Sequence, residues 1–284
     1  MYIDLSSARI FFDVVGSLLD AEGESLSERP TLLMLHGGPG YDHQTLRPHF
    51  DRFADVAQVV YFDHRGCGRS GGESDTWTLD QWADDVAEFC TRLGIKEPVV
   101  FGQSFGGMVA MRTATRHPDL ASALILSSTA AHFELDATLE MALTLGGRDA
   151  ATAARALFTN PSLDTYRTYA QVCLPLYTQN TPARGAAFRA RAIERPEVTV
   201  HFFREEMMDM DLRPDLSEIT CPTLVLAGAL DPVTPVVCSQ DIANSIGDNA
   251  ELVAFDACGH GVHRDDPDGS ERVMREFMQS VERA

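Results

Sequence analysis

The chain carries 284 residues, 44% of them hydrophobic, with a formal net charge of −19. That length and apolar content suit one large α/β domain with room for an insertion, while the charge argues against phosphate backbones and anionic membrane surfaces as partners, since both need a concentrated positive face. No apolar run approaches the roughly 20 residues that span a bilayer, the N-terminus lacks a basic start before an apolar stretch, and the six cysteines (67, 90, 173, 221, 238 and 258) show neither C-x-x-C nor metal-ligand spacing, so a cytoplasmic protein with reduced thiols is expected.

"YIDL" and "ARIFFDVVG" flank a Ser-Ser turn signal and predict an opening hairpin, after which the acidic loop "LDAEGESLSERP" leads into a buried strand in "TLLMLHGG". The strand "AQVVYFDHRG" follows. In "TLDQWADDVAEFCTRLG", Leu79, Trp82, Val86, Phe89 and Leu93 recur at helical spacing, with Thr78 and Gln81 as a capping box and Gly94 as the stop. Next come the strand "PVVFGQS", a helix from Phe105 to His117 closed by Pro118, and the strand "SALILSS". From residue 129 to residue 216 the alternation stops, and Ala-, Arg- and Met-rich sequence predicts a helical insertion. The alternation resumes with the strand "PTLVLAG", the helix "PVVCSQDIANSIG", the strand and loop "AELVAFDACGHG" and the closing helix "GSERVMREFMQSVERA". This order predicts an α/β fold: a mostly parallel sheet with helices on both faces, its core built from residues 1–128 and 217–284, and ligands at the carboxyl ends of the strands.

Four of those strand ends carry chemistry. Gly102-Gln103-Ser104-Phe105-Gly106 matches G-x-S-x-G between a strand and a helix, where a sharp turn holds a serine hydroxyl out of the sheet and leaves no space for side chains two residues to either side. A serine nucleophile needs a base and an orienter, which in this architecture follow in the order Ser, Asp/Glu, His. Asp231 stands just past one strand, its competing role being a turn-forming Asp-Pro, and His260 stands just past the next, flanked by Gly259 and Gly261. His263 is the rival base; Asp256, Asp265 and Asp266 read as loop and surface acids. In "LHGGPG" consecutive glycines leave backbone N–H groups uncovered, and Gly38 with the N–H of Phe105 would make an oxyanion hole, the plainer role being a glycine-rich turn. "FDHRGCGRS" lacks the spacing of a phosphate loop, so Asp63 and Arg65 are expected to tie loops together.

"HGGPG", "DHRGCGRS", "GQSFGG", the Asp231 loop and the His260 loop, in this order, resemble the α/β-hydrolase superfamily and within it the proline-iminopeptidase-like branch. The resemblance implies that residues 129–216 form a cap over Ser104 that chooses the substrate. It also implies an acidic cap residue holding a substrate α-amine, for which "HFFREEMMDMDL" offers Glu205 and Glu206, although Pro232 stands beside Asp231 where some members place a second glutamate. Serine rather than aspartate at the elbow separates the chain from members that work through an alkyl-enzyme ester.

The expectation is a serine hydrolase with Ser104, His260 and Asp231 as its triad, acting without metal or cofactor on small aminoacyl amides or short peptides. Esters, lactones and thioesters of small acids are the alternative, and a lyase or a non-catalytic ligand receptor the remoter ones. Glu205 and Glu206, if solvated instead, would sit on an outer face of a helix.

Overall fold

Five strands of the chain are buried along their whole length or nearly so, and each is a short apolar run that no solvent face could accept. In the computed structural model, which describes residues 1–20, 26–180 and 190–281, they form the middle of an eight-stranded sheet. In chain order the strands are β1 (Tyr2–Asp4), β2 (Arg9–Val15), β3 (Leu19–Asp20), β4 (Ser27–Glu28), β5 (Thr31–Leu35), β6 (Gln58–Phe62), β7 (Val99–Gln103), β8 (Ala123–Ser127), β9 (Thr223–Gly228) and β10 (Ala250–Phe255). The helices are α1 (Leu79–Leu93), α2 (Phe105–Arg116), α3 (Leu135–Thr159), α4 (Leu163–Val172), α5 (Pro196–Glu205), α6 (Val236–Ile246), α7 (Val262–Asp265) and α8 (Pro267–Val281).

The sheet order is β1-β2-β6-β5-β7-β8-β9-β10, with the β1–β2 and β2–β6 pairs antiparallel and every pair from β6 to β10 parallel. The opening hairpin is present. The acidic loop after it is a correction in part: β3 and β4 pair as a separate two-stranded ribbon, while residues 21–25 lie outside the described residues. Residues 282–284 of the closing helix lie outside them too.

Alternation along each strand sends side chains to two cores. Leu33, Leu35, Val60, Phe62, Val100, Leu124 and Leu126 pack with α1, α2 and the inserted helices. Leu32, Met34, Val59, Tyr61, Phe101, Ile125 and Leu224 pack on the opposite face with Phe50 and Phe53, from the 3₁₀ turn His49–Asp55, and with Met274 and Met278 of α8. On α1 Leu79, Trp82, Val86 and Phe89 of the expected stripe are buried while Leu93 is exposed, and Trp82 meets Phe105 edge to face at 4.8 Å. The Thr78 hydroxyl accepts from the Gln81 N–H, and Gly94 closes the helix at φ 68. The other half of the expected capping box is not made, because the Thr78 N–H donates instead to Thr76 O. Between β8 and β9 the chain leaves the sheet for α3, α4 and α5, then returns to pair β9 beside β8.

Candidate active site

One residue, Ser104, separates β7 from α2, and its backbone stands at φ 53 and ψ −121, a conformation that residues bearing a Cβ rarely adopt. The turn is held on all sides. Ser104 N–H donates to Ser127 O, while Ser104 O accepts from Gly107 N–H, Met108 N–H and the Thr129 hydroxyl. A Cβ on Gly102 would stand 2.5 Å from Gly106 O, and one on Gly106 would stand 2.2 Å from Leu35 O. The glycines are there because α2 starts against the backbone of β5 and β7.

At the ends of β9 and β10 the chain brings Asp231 and His260 together. His260 Nδ1 lies 2.8 Å from Asp231 Oδ2 and 3.0 Å from Oδ1. Asp231 is fully buried, and its carboxylate also accepts from Val233 N–H, Thr234 N–H and the Thr234 hydroxyl. A carboxylate can only accept, so this contact selects the tautomer with hydrogen on Nδ1 and leaves Nε2 as the basic nitrogen. The Tyr177 ring packs edge to face on the imidazole at 4.8 Å. Close packing of the loop is again a glycine matter: a Cβ on Gly228 would stand 2.2 Å from Gly259 O.

Ser104 and His260 line one cavity of about 130 Å³ together with Gly37, Gly38 and Phe105. The turn Gly38–Tyr41 is closed by Tyr41 N–H donating to Gly38 O, with Gly38 at φ 55. Pro39 has no N–H, and Gly40 N–H donates to Cys67 Sγ. Gly38 therefore keeps the one N–H of this turn without a protein acceptor among the described residues. The N–H of Phe105, first in α2, is likewise unengaged among them, as helix-start N–H groups are. Most of the remaining wall is aromatic or aliphatic: Tyr166 and Tyr169 from α4, Leu157 from α3, Phe202 and Phe203 from α5, and Met108 from α2. Thr199 and Arg264 also reach it. Burial pushes the phenols of Tyr169 and Tyr177 well above their usual range, so the two share a hydrogen bond as neutral hydroxyls.

Glu205 and Glu206 are a correction: neither lines the cavity. Glu205 is exposed, and Glu206 lies half-buried where its carboxylate meets the N–H of Leu79 at 3.5 Å, the start of α1, a favourable place for negative charge. As the chain leaves α5, Met207 turns to the apolar cavity, where an unpaired carboxylate would be costly. A carboxylate that does approach the cavity is Glu194, whose Oε1 accepts from the hydroxyls of two lining residues, Tyr41 and Tyr166. Sequence reasoning missed it. Its partners Tyr41 and Tyr166 lie 125 residues apart in the chain, so no local pattern marked it.

His263 lies away from the cavity, packed against His49 and Phe50, with neither ring nitrogen hydrogen-bonded among the described residues. Arg65 is fully buried and forks onto Asp85 at 2.6 and 2.8 Å while also holding Ser7 and Thr76, which is the work of a loop tie. Asp63 accepts from His43 Nδ1 at 2.7 Å and from the N–H groups of His43 and Arg69. Burial pushes its carboxyl up, and the His43 hydrogen bond and the nearby imidazoles outweigh that and hold it below its usual range. Asp42, His43 and Asp63 stand close enough to share a cation, and the Arg69 guanidinium already neutralises Asp42 at 3.0 Å.

With this geometry in place, comparison with known proteins shows that residues 30–267 match the family described as alpha/beta hydrolase fold. The chain belongs to that family. Among related α/β hydrolases, the proline iminopeptidase PfmaB of Pestalotiopsis fici is 27% identical over 288 residues, covering 98% of this chain and 99% of its own. The enol-lactonase of Burkholderia xenovorans LB400 superposes with a TM-score of 0.76 at 20% identity over 98% of this chain and 100% of its own. A thermophilic esterase from Thermogutta terrifontis superposes at 0.75 with 23% identity over 99% of each chain. At such identities the two structures speak to the α/β-hydrolase fold alone. No helix among the described residues is long and apolar enough to cross a membrane.

Proposed function

We propose that this chain is a serine hydrolase that cleaves small acyl substrates through an acyl-enzyme, with residues 129–216 as the cap over its cavity. One observation carries the reading: a serine in a strained elbow and an imidazole whose Nδ1 is held on a buried carboxylate border the same small cavity. Ser104 Oγ attacks the acyl carbon as its proton passes to His260 Nε2, and Asp231 stabilises the imidazolium while remaining ionised. The oxyanion forms between the N–H groups of Gly38 and Phe105. Collapse of the tetrahedral species expels the leaving group with the proton from Nε2, and water then repeats the sequence to free the acid.

The apolar wall and the absence of a carboxylate lining the cavity among the described residues favour ester or lactone substrates. A second reading, an aminopeptidase of small aminoacyl amides, is favoured by Glu194 beside Tyr41 and Tyr166 and by the relative named as a proline iminopeptidase. A fluorophosphonate probe should label the wild-type protein at Ser104. Ser104→Ala should keep the thermal midpoint, lose labelling and lose p-nitrophenyl acetate turnover by on the order of 10⁴-fold or more. Wild-type turnover in that variant would overturn the mechanism. Comparison of p-nitrophenyl acetate with alanine p-nitroanilide as substrates decides between the two readings.

A further inference from the structure

The turn that presents the Gly38 N–H is held largely by the inserted segment. Its two outward carbonyls are consecutive, and both accept from residues at the start of α5: the Thr199 hydroxyl donates to Pro39 O, and Arg195 N–H donates to Gly40 O at 2.7 Å. Arg195 Nε reaches across to Gly68 O at 3.1 Å, on the neighbouring loop. The fit is close enough that a Cβ on Gly40 would stand 2.4 Å from Arg195 O and 2.9 Å from Thr199 Oγ1. Thr199 is itself buried, and the carbonyl it serves would lose its protein partner without it. With Gly40 N–H on Cys67, every polar backbone group from Pro39 O to Gly40 O is taken, and two of the three partners come from the cap.

We propose that Thr199 is a positioning residue for the oxyanion hole: by fixing Pro39 O, the cap sets the direction of the Gly38 N–H, so the hole is complete only while α5 is docked on the turn. This rests on the serine-hydrolase reading above. It also gives the insertion a part in the chemical step that is separate from its part in choosing substrates. A donor that stabilises charge only as it develops acts on kcat, whereas a wall that touches bound substrate acts on KM. Thr199 lines the cavity, so the two roles need separating.

The test compares Thr199→Val, which keeps the shape and removes the hydroxyl, with Thr199→Ser, which keeps the hydroxyl, and with Thr199→Ala should the valine variant not fold. We expect kcat for p-nitrophenyl acetate to fall about ten- to a hundredfold in Thr199→Val, less than the loss from removing an oxyanion donor outright, with KM changed by less than about twofold. Affinity for a small alkylboronic acid, whose tetrahedral adduct on Ser104 occupies the oxyanion position, should fall by the same factor, and Thr199→Ser should recover most of both. A rise in KM with kcat intact, undiminished boronate affinity, or equal behaviour of the valine and serine variants would overturn the proposal. Failure of a fluorophosphonate to label the wild-type protein would instead overturn the serine-hydrolase reading itself, whatever Thr199 does.

Discussion

A methyl group is a sufficient probe of how closely the elbow is built. Gly106 does not need glycine for its backbone angles; it needs it because Leu35 O and His36 O would stand 2.2 and 2.6 Å from a Cβ. Neither contact is with a flexible side chain, so Gly106→Ala must lift the start of α2 away from β5. We expect it to cost about 1–3 kcal/mol in urea unfolding, as overpacking does, and to lower kcat more than that loss of folded protein accounts for, since the Phe105 N–H moves with the helix. At the same scale the elbow is legible in the sequence, because a steric requirement this severe leaves only one residue type at its positions. Asp231 and His260 were legible for a related reason: a charged or polar residue placed just past a buried strand contradicts its surroundings unless it has a partner. Glu205 and Glu206 were misplaced because a pair of acids at a helix end looks the same in sequence whether it faces a cavity or water.

Among the elements, those of the sheet were read with nearly correct bounds, since buried parallel strands and the amphipathic α1 follow their periods without interruption. The insertion was not resolved into its parts. Its helices pack partly on one another and partly around the cavity, so the apolar positions answer to two neighbours and no single period survives. The longest, α3, is broken at Gly147, which stands at φ 70 and ψ −164 in a region essentially reserved for glycine. A Cβ there would meet nothing within 4 Å, so the backbone alone pays for a substitution. Gly147→Ala is therefore expected to destabilise the protein by about 1–3 kcal/mol in urea unfolding, without the loss of kcat foreseen for Gly106→Ala. The adjacent Gly146 answers to packing instead, since a Cβ there would stand 2.6 Å from Ala150 Cβ and from a Leu176 methyl.

Across the whole molecule, interior imidazoles set the response to acid. Burial lowers His49 to about 4 and holds His64 and His263 well below the usual imidazole range. A histidine of depressed folded pKa takes its proton first in the unfolded chain, so its contribution to stability is whole above about pH 6.5 and is lost as the pH falls toward the folded value. The carboxyls of Asp85 and Glu206, raised by burial, take their proton first in the folded chain and so act in the opposite sense, while the histidines govern the window that opens below about pH 6.5. The thermal midpoint should fall through that window. His263→Leu, which removes one of these buried rings, should flatten the fall by about 2–4 °C for each kcal/mol relieved. Cys67 gives the same interior a different use. Its sulfur is fully buried beneath the Gly38–Tyr41 turn, and burial pushes its thiol up to about 12 even though Gly40 N–H donates to it. Lifting of that turn, with release of the Gly40 N–H, would open the sulfur to a thiol reagent. The chain thus carries its own clock beneath the candidate active site, and alkylation of Cys67 counts the openings of the turn.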